Sequence, residues 1–181
     1  MEGPALMMTI ALGADHAGFK VKDALCKQLR DAGHTVLDYG TCDEVPVDYP
    51  QFGYVVGEAV ASGQAQRGIV VCGSSLGIAM AANKVPGVRC AAVFEPLMTE
   101  LARQHNDANV IALSERLSGM EMIERLVQIF LETPAAGGRH AYRVQQLFEY
   151  TDAQRARTLK ALEAGAVTDA KTPADEVNAA V

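Results

Sequence analysis

Cysteine is sparse and unpaired. Cys26, Cys42, Cys72 and Cys90 form no C-x-x-C and no metal-ligand spacing, which argues against a zinc site or a dithiol centre. No apolar run approaches the ~20 residues of a membrane-spanning helix. The opening M-E-G-P-A-L-M-M lacks the basic segment and long apolar core of a secretion signal, so a cytoplasmic protein is expected. Basic charge is in the minority, 16 Lys and Arg against 22 Asp and Glu for a formal -6. That balance counts against a nucleic-acid surface but leaves room for a local basic cluster on a phosphate. The first strand–helix turn, A-D-H-A-G-F, has no G-x-G-x-x-G, which disfavours a nicotinamide dinucleotide. No internal repeat is evident. With 181 residues, 49% of them apolar, one domain with a sizeable core is expected.

The chain is organised around residues 69–84, I-V-V-C-G-S-S-L-G-I-A-M-A-A-N-K. A β-branched run ends at Cys72, small residues follow (Gly73, Ser74, Ser75, Gly77), and a helical segment runs to Lys84. A strand, an anion-cradling turn and a helix start, in that order, mark where parallel α/β sheets keep their chemistry. Strands are predicted at 8–14, 35–39, 68–72, 88–94 and 109–113. Helices are predicted between them, with apolar stripes at Val21, Ala24, Leu25 and Leu29, at Val55, Val56, Ala59 and Val60, and at Met122, Ile123, Leu126, Val127 and Phe130. Another starts at Pro96, and a last helix is predicted over about 139–162. This alternation implies βαβ units, an α/β fold with a parallel sheet covered on both faces. Residues 1–7 and the tail from about Gly165 are expected to be disordered or loosely docked. Cys26 and Cys90 read as small buried hydrophobes.

Several residues carry chemistry. Cys72 is either a buried strand cysteine or a base, because a thiolate at a strand end beside helix N–H groups has its pKa lowered. Gly73, Ser74, Ser75 and Gly77 offer backbone N–H groups to an oxyanion, and Ser74 equally reads as an N-cap. Asp15 and His16 follow the first strand at its carboxyl end, in the same crevice, or form a solvated turn. His105, with Asn106 next to it, closes a helix. An imidazole suits proton transfer near neutral pH, and a helix C-terminus also favours one. Arg139 and Arg143, spaced i, i+4, share a helix face, and with His140 they make a phosphate clamp or a solvated basic face.

Five strings occur together: G-A-D-H-A-G-F (13–19), V-D-Y-P (47–50), C-G-S-S-L-G with A-A-N-K-V-P-G-V-R (72–89), R-Q-H-N-D-A-N-V (103–110) and G-G-R-H-A-Y-R-V (137–144). In order and spacing they resemble the type B ribose-5-phosphate isomerases, a family that also includes allose- and galactose-6-phosphate isomerases. The resemblance covers about residues 8–150. It implies a three-layer α/β/α, Rossmann-like sandwich with a five-stranded parallel sheet over 8–150, leaving a helix end and tail at 151–181. It also implies a homodimer or homotetramer with sites shared between subunits, and no metal or cofactor. The expected reaction is interconversion of ribose 5-phosphate and ribulose 5-phosphate through a cis-enediolate. Another phosphosugar (allose or galactose 6-phosphate, or a tetrose phosphate) and a non-catalytic phosphosugar-binding regulator are the alternatives.

The same resemblance assigns roles. Cys72 abstracts the carbon-bound proton, and Ser74 helps move the hydroxyl proton. Asp15 and His16 meet the ring oxygen and hydroxyls. His105 opens the ring and Asn106 contacts the enediolate, both from the partner subunit. Arg116 matches a phosphate arginine supplied by the other subunit, and Tyr49 a tyrosine that reaches a neighbouring active site. Ser75 stands where relatives carry glycine. A positive φ there would strain a serine; otherwise its hydroxyl adds a contact beside the sugar. Asn83 matches a family position as either a ligand or a helix cap.

Overall fold

Five parallel strands form one sheet in the order β2-β1-β3-β5-β4. They are β1 (Thr9–Ala14), β2 (Thr35–Asp38), β3 (Arg67–Cys72), β4 (Cys90–Ala92) and β5 (Val110–Ser114). The helices are α1 (Phe19–Asp31), α2 (Pro50–Ala61), α3 (Leu76–Ala82), α4 (Pro96–Asn106), α5 (Met120–Glu132), α6 (Arg139–Phe148) and α7 (Asp152–Glu163). This computed structural model describes residues 7–163 apart from 149 and 151, so the expectations for residues 1–6 and for the tail lie outside the described residues.

The side-chain period of two sorts each strand onto two cores. Ile69 and Val71 of β3 face one side, with Leu25, Leu29, Ala102, Ile123, Leu126 and Phe130 of α1, α4 and α5. Val70 and Cys72 face the other, with Phe52, Val56, Ile78 and Ala82 of α2 and α3. The result is the three-layer α/β/α sandwich that the strand–helix alternation implies. Each fully buried Ile, Leu or Phe contributes about 1.5–3 kcal/mol, so both faces are strongly held. Pro50 and Pro96 open α2 and α4, where the missing N–H costs no helical bond.

Three expectations change. The fourth strand is three residues long, not seven: it is an edge strand, and only Cys90–Ala92 pair with β5. The long last helix is two, α6 and α7, and Tyr150 belongs to neither. On α1, Ala24 is exposed while Lys22 is 3% exposed. Lys22 is drawn inward by Asp38 of β2 at 2.7 Å, a partner that helical periodicity alone does not reveal.

The chain passes from β1 outward to β2, then returns to place β3 on the other side of β1. That reversal leaves a crevice at the carboxyl ends of β1 and β3, the standard ligand position of such sheets. Asp15 and Cys72 stand there.

Candidate active site

Cys72 ends the central strand, 4% exposed and in register with Ser114 of β5. The loops after β1, β3 and β5 are laced together around it. The Asp15 N–H donates to the Val71 carbonyl at 3.3 Å, and the Asp15 carboxylate accepts from the Gly18 N–H at 3.1 Å. That second bond fixes the carboxylate, 6% exposed, one strand away from Cys72. On the other side, the Ser114 hydroxyl donates to the Gly73 carbonyl at 2.7 Å and accepts from the Leu117 N–H at 3.1 Å. The Arg116 N–H also donates to the Gly73 carbonyl, at 3.1 Å. Sequence reasoning passed over Ser114; its signal was a lone serine at the end of an apolar strand.

Two glycines of the turn are required by what approaches them. A methyl group on Gly73 would lie 3.0 Å from Nε of Arg116. One on Gly77 would lie 2.5 Å from the Tyr49 ring. Arg116 lies against the Cys72 turn of its own chain, and Tyr49 covers Gly77 of its own chain. His16 helps hold Tyr49 there: its Nδ1 accepts from the Val47 N–H at 3.1 Å, tying the 40–49 loop to the β1 turn. Lys20 and Glu44, paired at 2.8 Å, reinforce the same seam at the surface.

Within the turn the two serines differ. Ser74 is exposed, whereas Ser75 is fully buried. Ser75 has φ +65°, a left-handed backbone that suits glycine. Its hydroxyl has no hydrogen-bond partner among the described residues. Neither serine caps α3 through its side chain: Ser75 is the N-cap residue and makes no such bond. Asn83 sits at the C-cap of α3. Its amide donates to the Cys90 carbonyl and accepts from the Cys90 N–H, both at 2.8 Å, so its side chain is committed to the β4 edge.

The remaining predicted residues form a second group. The His105 and His140 rings stack, with centroids 4.0 Å apart and planes 8° apart. Desolvation, then His105, Arg139 and Arg143, hold the His140 pKa below its ordinary value. The permanent cations of this group are Arg139 and Arg143, both exposed on α6. Asn106, next to His105 in sequence, is exposed at the end of α4.

These two groups occupy opposite ends of the sheet. A helix joining parallel strands runs back, so α4 delivers its C-terminus to the amino edge. Val110, just after that helix, pairs with Gly68, and Ser114 pairs with Cys72. Four residue steps separate those pairs, or ~13 Å. His105 also belongs to a helix on the α1/α4/α5 face, whereas Cys72 faces α2 and α3. One chain therefore does not bring His105, Arg139 and Arg143 to Cys72. Among the described residues, no three His, Cys, Asp or Glu side chains could hold a metal ion together.

Residues 10–147 match the Ribose/Galactose Isomerase family. Ribose-5-phosphate isomerase B of Escherichia coli is 40% identical over 141 residues, covering 78% of this chain and 95% of its own. The structure of Clostridium thermocellum ribose-5-phosphate isomerase B is similar at 46% identity and a TM-score of 0.77, covering 78% of this chain and 96% of that one. Ribose-5-phosphate isomerase B from Mycoplasma genitalium, solved with bound ribulose 5-phosphate, is 35% identical with a TM-score of 0.75, over 78% of this chain and 95% of that one.

Proposed function

The chain belongs to the ribose/galactose isomerase family and is a sugar-phosphate isomerase, and from that premise we propose that it interconverts ribose 5-phosphate and ribulose 5-phosphate with Cys72 as base. The observation that carries the reading is the crevice at β1 and β3. It sets a thiol on the central strand, with Asp15 just past the end of one neighbouring strand and Arg116 beyond the other.

The chemistry divides as follows. The Cys72 thiolate takes the proton from C2 of the open aldose and returns it to C1, passing through a cis-enediolate. N–H groups of the Gly73–Gly77 turn face the oxygen on which negative charge grows, and Ser74 carries the proton between O1 and O2. Asp15, His16 and Tyr49 hold the sugar hydroxyls and exclude water. His105 and Asn106 come from a second copy of the chain, His105 protonating the ring oxygen as the sugar opens. Arg139 and Arg143, with His140 as a donor, clamp the phosphate, and Arg116 adds charge from the Cys72 side. A separation of ~13 Å along the strands supports a shared site. A two-fold dimer satisfies it, because each copy then supplies both halves.

The test is Cys72→Ala. It is expected to keep the fold and phosphosugar binding while lowering kcat by about 10³-fold; near-full activity would remove the base assignment. A second reading is the same reaction on another phosphosugar, favoured by one observation, the buried, left-handed Ser75 beside the base. Comparing kcat/KM for ribose 5-phosphate, galactose and allose 6-phosphates and a tetrose phosphate decides between them. Proton–deuterium exchange at C2 separates either from a non-catalytic binder.

A further inference from the structure

The amino edge of the sheet carries a charge excess that the proposed chemistry does not use. Arg67 opens β3, Arg89 precedes β4 and Arg103 lies near the end of α4. All three guanidinium groups act on one another around a single carboxylate, Asp107. That carboxylate is already divided: Oδ1 accepts from Arg103 Nη1 at 2.7 Å, and Oδ2 from Arg89 Nη2 at 2.8 Å. Arg103, 2% exposed, also donates to the carbonyls of Thr133 and Ala108. Arg89 also donates to the carbonyls of Asn106 and Asp107. These two arginines are structural ties between the end of α4 and the strands beside it.

Arg67 is the surplus cation. A guanidinium has five N–H donors. Among the described residues, Arg67 uses Nη1 on the Gln66 carbonyl at 2.8 Å, and its buried Nε has no partner. Its guanidinium stands 6.0 Å from the centre of the Phe130 ring, and that of Arg103 stands 5.9 Å from the same ring. An aromatic face therefore steadies both cations without neutralising either. Burial first, then Arg103, pulls the Arg67 pKa below its ordinary value; Asp107 opposes this and Arg89 adds to it.

A cavity of about 1000 Å³ opens at this place, lined by Arg67, Arg103, His34 and Gln28 among others. The Nδ1 of His34 accepts from the Met8 N–H at 3.2 Å, so its neutral ring carries the proton on Nε2, as a donor. Glu124 and Glu132 of α5 line the cavity too, and among the described residues neither is ion-paired with Arg67. Glu132 accepts from Gln128 of its own helix at 3.0 Å.

We propose that this cavity is a second anion site, separate from the Cys72 turn and from the Arg139–Arg143 clamp, which binds a phosphate group through Arg67 with His34 as a supporting donor. A phosphate presents several acceptor oxygens to a planar guanidinium, which matches the unused donors of Arg67. The ligand is either free phosphate or a small phosphorylated metabolite, and both have this chemistry.

The full-length chain carrying Arg139→Ala and Arg143→Ala removes the proposed substrate clamp. Inorganic phosphate is titrated into it at constant ionic strength, with melting temperature and calorimetry as readouts, and ribulose 5-phosphate is titrated in parallel. A saturable upward shift with inorganic phosphate assigns free phosphate as sufficient. A shift with the phosphosugar alone assigns the metabolite. Either shift is expected to vanish when Arg67→Met is added. Because that substitution also alters packing on Phe130, Gln28→Glu provides a second variant. It leaves Arg67 in place, sets a carboxylate in the wall, and is expected to weaken binding by about tenfold. No saturable shift with either ligand, or a shift left undiminished by both Arg67→Met and Gln28→Glu, would overturn the proposal.

Discussion

The two edges of this sheet are built from different material. At the carboxyl edge the parts are backbone: three turns laced by carbonyls, by the Ser114 hydroxyl and by the Asp15 carboxylate, with Gly73 and Gly77 leaving room for Arg116 and Tyr49. At the amino edge the parts are long side chains: three guanidinium groups around Asp107, and the stacked His105 and His140. A tight turn positions a short nucleophile or base well, whereas a helix end presents charged side chains that reach outward. In a parallel sheet the return helix puts these two kinds of group at opposite edges. The chemistry proposed above uses both, which is why it is proposed to draw on two copies of the chain.

The sharpest way to break this comparison is to kill one edge in each copy. Cys72→Ala and His105→Ala are each expected to lose about 10³-fold in turnover. Co-refolded in equal amounts, they should recover about a quarter of wild-type activity, because half the dimers are mixed and each mixed dimer has one intact site of two. No recovery would mean that each chain works with its own Cys72 and His105. Next in size is the charge network. Asp107→Ala strands two arginines, and about 2 kcal/mol of stability should be lost, below the ~3–5 kcal/mol of a fully buried pair because Asp107 is 39% exposed. A melting temperature lowered by ~4–8 °C checks it.

At the carboxyl edge the sign reverses. Ser75→Gly relieves a positive φ and removes an unpartnered buried hydroxyl. Offset by the greater freedom of glycine in the unfolded chain, this should stabilise the protein by ~1 kcal/mol. An unchanged or lower melting temperature would show that the hydroxyl is engaged. The smallest effect concerns the thiols outside the site. Burial pushes Cys26 from 9.0 up to about 11 and Cys90 from 9.0 up to about 12. Both shifts are upward, so the folded chain keeps protons that the unfolded chain releases. Their contribution to stability is complete below pH 9.0 and is lost as pH rises toward those values. Alkylation at pH 8 should therefore spare Cys26 and Cys90 while reaching the exposed Cys42, as peptide mapping would show.

Much of the fold was legible because its signals are local. Val70 and Val71 alternate into two cores, Pro50 and Pro96 open helices, and the small residues after Cys72 mark the turn. The reading failed where a partner distant in sequence decided the outcome. Lys22 is inside because Asp38 meets it, and Ala24 is outside although it is apolar. Val88 and Phe94 have strand character but lie beyond the three residues that pair with β5. Asn83 left two roles open until the Cys90 backbone engaged both ends of its amide. The site divides in the same way. Cys72, Asp15 and Ser74 follow from strand ends and turn composition, but the motifs do not say which residues share an edge.

The sequence by itself determined the order of strands and helices, though not the length of β4 or the division of the last helix, together with where the thiol-bearing turn lies and which residue types it offers for chemistry. Those properties follow from periodicity, from chain stiffness at β-branched and glycine positions, and from the donors each side chain carries. Only the tertiary structure decided that Arg116 and Tyr49 lie against the Cys72 turn of the same chain while His105 and His140 stack toward the other edge of the sheet. It also left Arg67 without a carboxylate partner among the described residues. Those outcomes depend on strand order and on the direction of the return helices, which are set by packing between segments far apart in the chain.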